Sequence, residues 1–266
     1  MLRQQRTDGS MSKNWSPGNN VKEVTEDVFF VEGPAVNWTI LRRNKEFTLV
    51  DTGYPGNWPL LQSSIEYLGL SMENAAAVLL THGHSDHIGN AARISALGIP
   101  VLADAAELPN VRREILEQVG VKDFGLRILH PRLGAWAFHA VSAGGLSDVA
   151  VPGVEAVTQE VLDGLPGRPQ LIACTGHTSG HAAFLVPSAK AVITGDALIT
   201  GHAVSPVRGP QLLPAVFHYK PAEAKTSVDA LRKLDVRHVL PGHGPHLETP
   251  NGITDLVSEG SYPPFG

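Results

Sequence analysis

Residues 81–87 read Thr-His-Gly-His-Ser-Asp-His and come directly after the apolar run AAAVLL at 75–80. A short apolar run closed by a turn is the pattern of a strand buried on both faces. The cluster therefore presents its side chains at the C-terminal end of a strand, where α/β sheets place their ligand sites. Three imidazoles crowded into so short a stretch repel one another when protonated and lack partners when buried and neutral. A cation answers both problems. Imidazole suits zinc, iron and related metals, and a carboxylate adds a harder ligand. His82, His84, Asp86 and His87 are thus candidate metal ligands.

Three further pieces share one design. His177 lies in Thr-Gly-His-Thr-Ser-Gly-His at 175–181, Asp196 ends the run AVITGD, and His243 lies in Pro-Gly-His-Gly after VRHVL. Each follows a strand-like run and adjoins glycine, the residue that lets backbone approach a crowded centre. His181 heads the next strand and reads as structural. Upstream, Asp51-Thr52-Gly53 ends the run EFTLV in a sharp turn.

Taken in this order and at these intervals, H-x-H-x-D-H, G-H-T-x-G-H, G-D and P-G-H-G resemble the metallo-β-lactamase superfamily, over roughly Val21 to Pro245. The resemblance implies an α/β (α+β) fold, a four-layer αββα sandwich of two mixed sheets with outer helices and the site at one sheet edge. It implies two divalent ions, zinc first with iron or manganese as alternatives. His82, His84 and His177 resemble the ligands of one ion, Asp86, His87 and His243 those of the other, and Asp196 the bridging carboxylate. Asp51 resembles the aspartate that orients a ligand histidine. The chemistry implied is attack by a metal-bridged hydroxide on a carbonyl, with Asp86 as the catalytic carboxylate that holds the water and carries its proton.

The remaining sequence fits this frame. Residues 1–20 are polar and predict a flexible tail, leaving 21–266 as one domain. VKEVTEDVFFVEG, VNWTILRRN and EFTLVDTG predict an antiparallel meander. Helices are predicted from Trp58-Pro59 onward, over Asp86–Leu97, after Pro109 through ILEQVG, and from Pro221. Residues 123–170 carry no clear pattern. No G-x-S-x-G elbow supports a serine nucleophile, and Cys174, the single cysteine, reads as a buried strand residue.

Composition narrows the substrate. A net charge of −5 and no dense Lys/Arg cluster argue against nucleic acid as a partner. The N-terminus has no apolar run behind its basic residues and no stretch is long enough to span a membrane, so a cytoplasmic location without membrane contact is expected. With a single cysteine, no intrachain disulfide is possible. A small-molecule ester, lactone or thioester is the expected substrate. A glyoxalase II-like glutathione thioesterase is an alternative, although the chain ends about twenty residues after His243, short of that family's C-terminal helical segment. A second alternative is a mono-iron persulfide dioxygenase, and a non-enzymatic scaffold is disfavoured by a full set of seven ligand candidates. The loop at 201–220 is expected to line the pocket, with His202, Arg208, His218 and Tyr219 as candidate substrate contacts.

Overall fold

The computed structural model describes residues 14–253. The expected meander forms: β1 (Val21–Thr25), β2 (Val28–Val31), β3 (Trp38–Arg43) and β4 (Glu46–Val50) pair antiparallel in sequence order. The sheet then turns parallel through β5 (Ala75–Leu79), β6 (Val101–Ala103) and β7 (Glu155–Ala156). A second sheet has the order β12-β11-β10-β9-β8. Its strands are β8 (Gln170–Ala173), β9 (Ala182–Val186), β10 (Ala191–Gly195), β11 (His238–Pro241) and β12 (Leu247–Glu248). Only β10 and β11 are parallel in it.

Strand alternation sorts the core into layers. In β2, Val28 and Phe30 join Leu41, Val50 and Leu79 in packing against Phe184, Val186, Ile193 and Leu240 of the second sheet. Phe29 and Val31 face the other way, toward Leu61 and Ile65 of the helix Trp58–Tyr67 and Ile94 of the helix Ala91–Ser95. Outside the second sheet, Val192 and Val239 meet Leu231 of the helix Pro221–Arg232. The result is the helix–sheet–sheet–helix sandwich, and truncating an interlayer side chain such as Leu79 to Ala should cost roughly 2–5 kcal/mol.

Three local expectations change. The helix predicted over Asp86–Leu97 is broken into Ser85–Ile88 and Ala91–Ser95. A Cβ on Gly89 would lie 2.4 Å from Pro55 N, and Asn90 Nδ2 donates to Thr52 O at 2.9 Å and Tyr54 O at 2.8 Å. The break thus lets the Asp51–Tyr54 turn dock against the ligand cluster. The segment after Pro109 is helical only over Leu108–Val111. Arg113 then takes a positive φ of 61°, and residues 113–118 run across the site instead of continuing a helix. Third, part of the predicted tail is docked: Trp15 packs against the first core layer and its Nε1 donates to Glu32 O at 2.9 Å. Residues 1–13 of that tail lie outside the described residues. Among described residues, no helix is long and apolar enough to cross a membrane.

Residues 123–170, unreadable in sequence, contain the helix Pro131–Ser142. Its Leu133 packs with Phe124, Ile199, Val204, Leu213 and Phe217 in a small separate core. This places the helix over the sheet edge where the histidines gather.

Candidate metal centre

Five strand ends converge on one edge of the sandwich. Asp51 follows β4, residues 82–87 follow β5, His177 follows β8, Asp196 follows β10 and His243 follows β11. Backbone hydrogen bonds stitch the two sheets together there: Ala182 N donates to Thr81 O at 2.9 Å and Asn37 N to Gly242 O at 2.9 Å. Gly242 is required by crowding, since a Cβ would sit 2.4 Å from Asp196 Oδ1 and 2.7 Å from His87 Cε1.

The structure brings all seven ligand candidates together. Ligand atoms of His82, His84, His177 and Asp196 lie within 4.8 Å of one another, as do those of Asp86, His87 and His243. Asp196 of the first group also reaches the second: its Oδ1 is 3.3 Å from His87 Nε2, and its Oδ2 is 3.3 Å from His243 Nε2 and 3.5 Å from His177 Nε2. Asp86 Oδ2 lies 3.4 Å from His243 Nε2.

Each of these five imidazoles has its outward nitrogen engaged. His87 Nδ1 meets Asp51 Oδ2 at 2.8 Å, His243 Nδ1 meets Ala35 O at 2.7 Å, and His84 Nε2 meets Glu117 O at 3.0 Å. His82 Nδ1 is 3.0 Å from Thr81 Oγ1, and His177 Nδ1 is 3.1 Å from His218 Nδ1. Asp51 adopts a φ of 61° and accepts from Thr81 N at 2.9 Å and Thr81 Oγ1 at 2.8 Å. This aspartate therefore locks both the strand end and the His87 ring. His181 accepts from Asp196 N at 3.0 Å through Nε2, so it holds the main chain of Asp196 in place.

The donor set fits divalent cations. The buried atoms His82 Nε2, His87 Nε2 and Asp196 Oδ1 have no hydrogen-bond partner, and each such orphan costs roughly 1–3 kcal/mol unless something answers it. Burial drives His82, His84 and His177 below their ordinary value, assisted at His82 by His87 and at His177 by His84. Neutral rings with free lone pairs are the form that binds metal. Around the second group the balance reverses. Burial opposes charge on His87 and His243, yet Asp196 with Asp51 and Asp86 holds His87 well above its ordinary value, and Asp196 and Asp86 hold His243 at about 10. Burial likewise works against the charged form of Asp196, but His243 and His87 keep it ionised. Carboxylates that draw protons onto buried imidazoles mark a place where a cation supplies the charge instead.

A buried acid that carries no sequence signal holds the site in register. Glu107 Oε1 accepts from Gly83 N and Asn110 Nδ2, both at 2.7 Å, and Oε2 accepts from Thr178 Oγ1 and Gly180 N, both at 2.8 Å. One carboxylate thus ties the 82–87 loop to the 175–181 loop. Glu117 repeats the device, accepting from Ser179 N and Ser179 Oγ at 2.6 Å each. Gln118 Oε1 accepts from Ser85 N at 3.0 Å. The segment 104–118 is therefore a polar strap around the histidine loops.

A cleft opens over the cluster, walled by Val119, Phe124, Trp136, Leu213 and Phe217 and floored by His84, Asp86, Asp196 and His243. Of the expected substrate contacts, His202 lines this cleft, its ring 4.9 Å from that of His243. Arg208 lines a neighbouring polar cleft with Arg132, Trp136 and His202. His218 is buried behind His177 and does not line the cleft. Tyr219 is 53% exposed, and its ring stacks with Lys220. Tyr54, which sequence reasoning passed over, is buried in the cleft wall. Burial, with Asp86 and Asp196 beside it, holds its phenol well above its ordinary value, so it stays a neutral donor. Cys174 is buried and its thiol is pushed up to about 12 by that burial, which makes it no nucleophile.

The profile of the metallo-beta-lactamase superfamily matches residues 31–243, and the chain belongs to that family as an enzyme of its metallo-hydrolase type. It is 28% identical over 190 residues to the "Probable metallo-hydrolase YybB" of Bacillus subtilis (strain 168), covering 68% of this chain and 73% of that one. It is 25% identical to "Probable metallo-hydrolase YflN" of the same organism, covering 87% and 85%. A hydroxyacylglutathione hydrolase of Shewanella baltica (strain OS223) is 28% identical over 137 residues, 52% of this chain and 39% of that protein. Among solved structures, the metallo-beta-lactamase SMB-1 shares the fold with a TM-score of 0.55 at 19% identity, covering 84% of this chain and 79% of that one. TTHA1623 in a di-iron-bound form has a TM-score of 0.51 at 25% identity, covering 82% and 92%.

Proposed function

We propose that the chain is a binuclear metal-dependent hydrolase of small-molecule carbonyl esters, lactones or thioesters. The observation that carries this reading is the pair of His/Asp groups, with Asp196 of the first in reach of His87 and His243 of the second, at the floor of an apolar cleft. In this reading His82, His84 and His177 hold one ion, Asp86, His87 and His243 the other, and Asp196 serves both. Zinc is the first candidate for a nitrogen-rich set, with iron as the alternative, since the similar TTHA1623 is described in a di-iron-bound form. Two divalent ions there supply activated water at neutral pH and polarisation of a carbonyl.

The chain's own residues do the rest. Asp86 has a side chain 15% exposed, against 4% for Asp196, so its carboxylate is the one open to the cleft. Burial opposes its ionisation, but His87 and His243 hold it below the usual carboxylate range. It is suited to accept a proton from the attacking water and pass it to the leaving atom. Tyr54 offers a neutral phenol to the oxygen that becomes charged. Trp136, Phe124, Phe217 and Leu213 exclude water and accept an apolar acyl or aryl group.

The partial similarity to hydroxyacylglutathione hydrolase keeps glutathione thioesters in the substrate class. A panel on metal-loaded protein tests the reading: acyl lactones, glutathione thioesters, aryl esters, a β-lactam, structured RNA, and glutathione persulfide with oxygen monitoring. Turnover of a carbonyl substrate with an apolar acyl group is expected. Oxygen uptake with the persulfide, or efficient RNA cleavage in place of it, would overturn the proposal.

A further inference from the structure

We propose that His218 is a positioning residue that fixes the tautomer of His177 and so completes the group His82, His84, His177 and Asp196. The inference rests on reading that group as a metal site. Four of the five candidate imidazoles rest their outward nitrogen on an oxygen: Asp51, Thr81, Glu117 O or Ala35 O. His177 differs, because its partner is another ring, with Nδ1 of each 3.1 Å apart and the rings at 81°.

Proton placement follows from the far end of this chain. His218 Nε2 is 3.0 Å from Leu213 O, and a carbonyl oxygen only accepts. The proton of neutral His218 therefore sits on Nε2, which leaves a lone pair on Nδ1. That lone pair accepts from His177 Nδ1–H. His177 Nε2 is then left unprotonated, and this is the atom that lies 3.1 Å from His84 Nδ1 and 3.5 Å from Asp196 Oδ2. The alternative tautomer would place a proton in the middle of the ligand group and two lone pairs against each other at the outer contact; the assigned tautomer instead turns the lone pairs of His177 Nε2 and His84 Nδ1 toward one another inside the group, an opposition that a bound cation would relieve.

The backbone holds the relay in place. Tyr219 N donates to His177 O at 3.0 Å and Lys220 N to Gly176 O at 2.8 Å. The residues just after His218 thus pair directly with the loop that carries His177. The same 211–218 segment supplies Leu213 and Phe217 to the cleft wall. A histidine expected at the substrate therefore acts one layer back, on the ligand itself.

The test uses His218→Phe, which keeps a ring and removes both nitrogens, and His218→Asn, whose carboxamide oxygen restores an acceptor near Nδ1. Nitrogen-15 NMR of the imidazoles in metal-free protein reads the His177 tautomer, and competition with a chromophoric chelator reads zinc affinity. In wild type, His177 is expected as the single Nδ1–H form. His218→Phe should mix the tautomers and weaken zinc binding at the group His82, His84, His177 and Asp196 by about 10–100-fold, the usual effect of removing a ligand's outer partner, and His218→Asn should recover most of the loss. If the phenyl ring fails to pack, as judged by circular dichroism, His218→Ala makes the same comparison. An unchanged tautomer with unchanged zinc affinity in the variant would overturn the role of His218. A wild-type protein that binds no zinc would instead remove the metal reading and leave the tautomer measurement to decide on His218.

Discussion

Replacing Glu107 tests whether the strap holds the metal loops or merely covers them. Its carboxylate satisfies four buried donors, one on the 82–87 loop, two on the 175–181 loop and Asn110 Nδ2 on the strap itself, and two of these are the backbone groups Gly83 N and Gly180 N. Glu107→Ala leaves both backbone donors orphaned in a site with no exposure. At roughly 1–3 kcal/mol per orphan, the loss is about 2–6 kcal/mol, a large share of the 5–15 kcal/mol or so that stabilises a typical domain. Glu107→Gln is milder. Burial raises the acid's pKa despite its four bonds, so exchanging it for a neutral amide recovers part of the desolvation cost. The amide oxygen still serves one loop, and the Thr178 hydroxyl can turn to accept from the amide nitrogen. Only one backbone donor then stays unmet, and a loss of roughly 1–3 kcal/mol follows. Urea unfolding of metal-free protein measures both, and zinc content after equilibrium dialysis reads the register of the loops. An alanine variant within about 1 kcal/mol of wild type and with full zinc content would refute the clamp.

Asp196→Ala should lose tight binding at both sites, because both groups close on that carboxylate, whereas His181→Ala should keep its metal content and lose stability; elemental analysis with thermal melts separates the two. Deleting residues 1–18 removes Trp15 with its bond to Glu32 O and should cost about 1–3 kcal/mol, read as a lower melting temperature. Cys174 should resist iodoacetamide at pH 8 in folded protein and react fully in urea, read by mass spectrometry. Since its folded pKa is raised from 9.0 to about 12, its contribution to stability is complete below pH 9 and declines as pH climbs toward 12; a fast-reacting native thiol would contradict the burial.

The site was legible in sequence because each ligand candidate ends a strand, and apolar runs before His82, Asp196 and His243 betray strands through burial alone. The antiparallel meander was legible for the same reason, as Val28–Val31 must satisfy core layers on both faces. What escaped was polar and long-range. Glu117 sits in the stretch after Pro109 that reads as helix and Glu107 lies just before it, and their partners lie up to 73 residues away. No local pattern records such a contact. Asn90 broke an expected helix through hydrogen bonds to Thr52 and Tyr54, a tertiary demand that outweighs propensity. His218, a candidate substrate contact by sequence, lies behind His177 instead, because a loop's register against a neighbouring strand is not written in spacing. Helix Pro131–Ser142 was missed because its inward stripe is thin: only Leu133 is fully buried.

We propose that seven residues hold two ions and that hydrolysis needs both. Titrating metal-free protein with zinc while following turnover of the best carbonyl substrate from the panel decides between two ions and one. Activity should rise to a plateau that breaks at two equivalents per chain. A plateau complete at one equivalent, with a second ion neither bound nor required, would contradict it.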